Sequence, residues 1–145
     1  MPFRFPLATV LRVRKSLEKR EERALQKIQL DMARVARQID ELSAEIAKAH
    51  QVREQAMQRP IPASHLQMHS WSSEAALARK KSLLRDLFRL EELRDLQLKA
   101  YHAAHRNSET LTDLLHKQRD AYELEQARTQ QKQLDDIFIA RRQRS

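Results

Sequence analysis

The chain has 145 residues, a net charge of +8, 33% charged and 41% apolar residues, and neither glycine nor cysteine. That balance is too apolar for a disordered chain and too charged for one deep globular core. The missing cysteines exclude disulfides, thiolate metal sites and cysteine nucleophiles, and the missing glycines exclude a phosphate-cradling loop and a nucleophile elbow.

The four prolines stand at only two places, Pro2 and Pro6 at the front and Pro60 and Pro62 in the middle. Glycine and proline are the residues that end helices most reliably. The expected fold is therefore all-α: two long helices forming an antiparallel coiled-coil hairpin, a single domain over residues 1–145. Helix one is expected at about 7–58, the turn at about 59–70 and helix two from 64 or 72 to about 140.

Helix one carries the stronger signal. Leu25, Ile28, Met32, Val35, Ile39, Leu42, Ile46 and Ala49 follow alternating steps of three and four. That is the heptad seam of a left-handed coiled coil. Upstream, Leu7, Val10, Leu11, Val13 and Leu17 continue an apolar face in a shifted register, and the seam positions between Leu17 and Leu25 fall on Glu18 and Glu21.

The break follows from Arg59-Pro60-Ile61-Pro62, because residues before proline are pushed out of the helical region. Helix one should stop near Gln58. Ser64 and Gln67 have capping-box spacing, which predicts a restart near Ser64, while Ser70, Ser72 and Ser73 offer a later one around Trp71.

Helix two shows a broader apolar face without a strict heptad, including Leu77, Leu83, Leu84, Leu87, Leu90, Leu93 and Leu96. The expected seam contributions are Leu83, Leu87 and Leu90. The face weakens around Arg106, Asn107, Ser108 and Thr110, and a hairpin sets this segment opposite residues 15–22, where helix one is also polar. A polar layer that fixes register is one reading; a soft joint is the other.

Helix two also outruns its partner. Pairing should exhaust helix one near residues 116–123, leaving a C-terminal overhang of about twenty residues, or roughly 30 Å of helix. Leu134, Ile137, Phe138 and Ile139 lie on that overhang. Either a partner covers them or the N-terminal arm, Phe3 and Phe5, folds back over them.

Charge is concentrated at the chain ends: residues 1–20 carry +5, residues 137–145 carry +3, and residues 21–136 net zero. In a hairpin both ends meet, so the open end would hold the charge. The pairs His65/His69 and His102/His105 have helix-face spacing but no third ligand beside them, so no metal site is expected. No catalytic group, cofactor site or small-molecule site is expected either. A nucleic-acid-binding rod is the generic alternative, but basic and acidic residues are mixed over most of the chain. No apolar run approaches a membrane span and the front does not read as a secretion signal, so the expected compartment is the cytoplasm.

The two ends carry more than composition. The chain opens Phe3-Arg4-Phe5-Pro6-Leu7, then Val10-Leu11 and Arg14; it closes with Lys132, Leu134-Asp135-Asp136, Phe138 and a basic tail. Between them lie the helix break and a single tryptophan, Trp71. The pattern resembles the flagellar export protein FliJ family over its whole length, and the stalk proteins of virulence-type secretion systems are close lookalikes.

By that resemblance, the protein is a non-enzymatic shaft and adaptor of the bacterial flagellar type III export apparatus. The family fold is similar to the central shaft of rotary ATPases. Its implied partners are the ring of the export ATPase, the export gate membrane protein and export chaperones. Its implied location is cytoplasmic and peripherally associated with the inner membrane at the flagellar base. The ATPase contact would involve Phe3, Phe5, Arg12, Arg14, Lys132, Leu134, Asp135, Ile137, Phe138, Arg141 and Arg142. The hairpin tip, with Trp71 and Leu77, would face the gate. A structural scaffold or stalk of a related secretion system is the alternative.

Overall fold

The computed structural model describes residues 2–144. The fold is all-α: α1, Ala8–Met57, and α2, Ala63–Arg144, pack against each other as a hairpin. Neither helix is interrupted, and α2 stays helical through residues 106–110. Contacts gather the residues into two compact units: Met1–Arg20 with Tyr101–Ser145, called the terminal unit below, and Glu21–Ala100, the turn unit.

The helix ends follow local chemistry. The amide of Ala8 donates to the carbonyl of Phe5 at 3.1 Å and that of Leu11 to Leu7 at 2.8 Å, so the residues around Pro6 start α1. At its other end, the amides of Gln58 and Arg59 donate to Gln55 and Ala56, both at 3.4 Å. These three-residue steps tighten the last turn and satisfy carbonyls that an α-helix leaves bare. α2 starts at Ala63, one residue before the start expected near Ser64 and well before the later one around Trp71, but not through a Ser64 cap. The carbonyl of Pro62 receives the amides of His65 at 3.0 Å and Leu66 at 3.4 Å, so Ser64 already lies inside the helix. A proline at a helix start has no amide hydrogen to leave unpaired, and its ring holds φ near the helical value.

In the turn unit the α1 seam runs through Glu21, Leu25, Ile28, Met32, Val35, Ile39, Leu42 and Ile46, and on to Arg53 and Ala56, all shielded at least in part. The facing residues of α2 correct the expectation of a broad face without a heptad. Leu66, His69, Ser73, Ala76, Lys80, Leu83, Leu87, Leu90, Arg94 and Gln97 are shielded, and they alternate steps of three and four without a break. The heptad is strict, but polar residues fill several of its places. Long polar side chains can do this because their aliphatic stems cover apolar surface while their heads reach water. Leu77, Leu84, Leu93 and Leu96, counted in the broad face, are exposed, whereas Leu83 is only 6% exposed.

In the terminal unit the shifted register is corrected in the same way. Leu11 is buried, while Leu7, Val10, Val13 and Leu17 are exposed. Leu11 and Glu18 sit in the heptad that runs through Leu25, not in a displaced one. Opposite them α2 offers Tyr101, Ala104, Ser108, Leu111, Leu115, Gln118 and Tyr122, again in steps of three and four.

Candidate partner-binding surfaces

A polar layer crosses the terminal unit. The Glu18 carboxylate meets the Nδ1 of His105 at 2.7 Å. The Ser108 hydroxyl donates to the same carboxylate, and at 5% exposure Ser108 is the buried polar residue of the seam. His105 Nε2 lies 3.6 Å from Glu109 on its outer side. The hydrogen bond to His105, then that of Ser108, holds the Glu18 carboxyl below its ordinary range. The bond to Glu18 pushes the His105 imidazole up. The turn unit has its own polar pair, where the Gln97 amide donates both to the Glu21 carboxylate and, at 3.0 Å, to the Glu21 carbonyl. The pairs tie α1 to α2 at defined registers, and the helix is continuous at Ser108. These contacts support the register-fixing reading of the layer.

The N-terminal arm packs on α2 in the terminal unit. The rings of Phe3 and Tyr122 lie 5.5 Å apart at 46°, and the Arg119 guanidinium sits 5.9 Å from the Phe3 ring centre. Phe5 is half-buried. Beyond Tyr122 every described residue of the helix, 123 to 144, is exposed. Leu134, Ile137, Phe138 and Ile139 are 51–68% exposed. The arm therefore does not fold back over the stripe; it stops at Tyr122.

Leu134 and Phe138 are not an unpaired continuation of the seam, whereas Ile137 and Ile139 lie closer to it. Each residue turns the helix by about 100°, so Leu124, Gln131 and Phe138 lie between about 160° and 200° around the axis from Tyr122, on the face opposite α1. Ala127 and Leu134 border the same face. An extended α1 would not have covered these residues.

The residues expected to form one ATPase contact are thus spread along the terminal unit. At about 1.5 Å per residue, Leu134 and Phe138 lie about 18 and 24 Å beyond Tyr122, where Phe3 packs. Arg12 and Arg14 are exposed on α1, between the Phe3–Tyr122 and Glu18–His105 contacts. Lys132, Asp135, Arg141 and Arg142 are exposed on the overhang with the stripe. Asp135 accepts a 3.1 Å bond from the Gln131 amide one turn earlier. The last turn of α2 holds Arg141, Arg142 and Arg144, cations placed where the helix dipole favours them.

The turn unit carries a second surface. A groove of about 610 Å³ opens between the helices, lined on α1 by residues from Leu42 to Arg53 and on α2 by His69, Ser72, Ser73, Ala76 and Leu77. It exists because small residues face each other there: Ser43, Ala47 and Ala49 across from Ser72, Ser73 and Ala76. Side chains this short cannot close the gap between two helices, and close packing fails locally. Leu77 lines the groove; Trp71 does not line it and is itself exposed. Arg53, His50 and His69 rim it against one acid, Glu45. Its signal in the sequence was a set of serines and alanines at and beside seam positions, which heptad counting passes over.

Among the described residues, no group of three or more His, Asp and Glu side chains is placed to hold a metal ion, and no helix is long and apolar enough to cross a membrane. No similar protein was found among curated sequences, and none among solved structures. A family model described as Flagellar FliJ protein matches residues 3–145, nearly the whole chain. That match, on a two-helix hairpin with a bare terminal helix, places the chain in the flagellar FliJ protein family, whose members are components of the flagellar export apparatus.

Proposed function

We propose that the protein is a non-enzymatic adaptor of the export apparatus, with its terminal unit engaging the ring of the export ATPase. The observation that carries this reading is the overhang. Twenty-two consecutive exposed residues hold Leu124, Leu134 and Phe138 in water on a face that the chain's own first helix does not use. Burial of each such side chain is worth on the order of 1.5–3 kcal/mol, so an exposed row of them favours docking on a partner. The arginines of the last turn add attraction toward an acidic surface.

In the same proposal the groove of the turn unit receives the cytoplasmic part of the export gate membrane protein, with Leu77 in the groove and Trp71 beside it. Export chaperones are the third partner class, and the protein works in the cytoplasm, against the inner membrane at the flagellar base.

Deleting residues 130–145 tests the central claim. The truncated protein is expected to keep its melting temperature and lose stimulation of the export ATPase. Stimulation that persists after the deletion, with the fold intact, refutes docking through the overhang.

A further inference from the structure

The charges beside the stripe point to what covers it when the chain is free. We propose that the overhang pairs antiparallel with the overhang of a second copy of this chain, about a twofold axis. This stands apart from ring docking, which it neither requires nor excludes; where both occur they compete for one stripe.

Leu124, Ala127, Gln131, Leu134, Phe138 and Arg141 form a heptad series of their own, in steps of three and four. Set antiparallel, such a series places Ala127 against Phe138 of the second copy and Gln131 against Leu134. The largest side chain meets the smallest, as interdigitating layers require. The same register fixes the flanking positions. Arg128 faces Asp135 of the second copy, and Glu123 faces Arg144. The twofold axis repeats each pair, giving four contacts of opposite sign and none of like sign. Leu124 falls against the aliphatic stem of Arg141.

The parallel arrangement fails on the same residues, because it would set Arg141 against Arg141 in the seam. Access also favours the antiparallel one. The second copy's helix would end level with Ala121, on the face opposite the one where Phe3 packs on Tyr122, so neither α1 nor the arm stands in its way. The Gln131–Asp135 bond uses one carboxylate oxygen, leaving the other for Arg128. The seam is under three heptads long, so the dimer is reversible and forms at high concentration.

Sedimentation equilibrium of the full chain from micromolar to millimolar concentration is the test. The mass is expected to rise from 17.2 kDa toward twice that value. Arg128→Asp alone, or Asp135→Arg alone, turns two attractive pairs repulsive and should weaken association roughly tenfold, and the double exchange should restore it. Helicity measured alongside should not change, because all these residues are exposed. Three results overturn the proposal. One is a 17.2 kDa species at every concentration, including the case where that monomer binds the export ATPase instead. Another is a dimer indifferent to both single exchanges, which would join through a different surface. The third is a double exchange that does not recover what the single ones lost.

Discussion

Glu18 and His105, 87 residues apart in sequence, meet across the two helices at 2.7 Å, with Glu18 in a seam position where a coiled coil would ordinarily bury leucine. The buried hydroxyl of Ser108 completes the layer. A polar layer of this kind stabilises less than an apolar one but permits only one alignment of the helices, because any slip leaves its groups unpaired.

The layer makes stability depend on pH. His105 has its pKa raised by the bond to Glu18, so its contribution is complete below the ordinary imidazole value of 6.5 and is lost as pH rises through the higher folded value. Glu18 has its pKa lowered, so its contribution is complete above 4.5 and is lost as pH falls through the lower folded value. Lys15 on α1 and Glu109 on α2 are the other charges acting on the pair. Thermal melts across this range should show the wild type ahead of His105→Gln by most between the two ordinary values, with the advantage shrinking on the alkaline side. A gap that is constant with pH would show that the pair carries no titrating contribution.

Leucines that look alike in sequence should differ in weight. Leu83→Ala empties a buried seam position and should cost about 2–4 kcal/mol in urea unfolding. Leu96→Ala alters a side chain 65% exposed and should cost less than about 0.5 kcal/mol. Ile39→Asp, which puts a charge into the seam, should cost roughly 2–4 kcal/mol. Equal costs for Leu83 and Leu96 would contradict the strict heptad of α2.

The two apolar patches of the terminal unit should separate in the same way. Phe3→Ala removes the ring packed on Tyr122 and Arg119, and should lower stability by about 1–2 kcal/mol. Phe138→Ala removes a ring 68% exposed and should leave the melting temperature unchanged while reducing stimulation of the export ATPase. A Phe138→Ala that destabilises the monomer at low micromolar concentration would mean that the stripe is covered within the chain.

Reversing Arg12, Arg14, Arg141 and Arg142 to Glu should slow association with an acidic ring and weaken its salt dependence, leaving helicity intact. Association rates measured at low and high salt check this. Unchanged rates after all four reversals would remove these arginines from the contact.

Helix content, the place of the break and the heptad of α1 were written in the residues themselves. The chain has no glycine, its prolines stand at two places, and Leu25 through Ile46 repeat without interruption. Such features act locally, so one residue's neighbours in sequence suffice to read them. The overhang was legible for a similar reason, since it follows from two helix lengths. Other features depended on contacts between residues far apart. Lys80, Arg94, Gln97 and Ser108 hide the heptad of α2, and only packing against α1 shows that these polar residues hold seam places. The start of α2 at Ala63 turned on whether the Pro62 carbonyl or the Ser64 hydroxyl served the first amides. That Phe3 stops at Tyr122 was likewise a matter of reach across the helix pair. Where burial is partial and a long polar side chain can stand in a seam by its stem, composition does not identify the seam; the partner helix does.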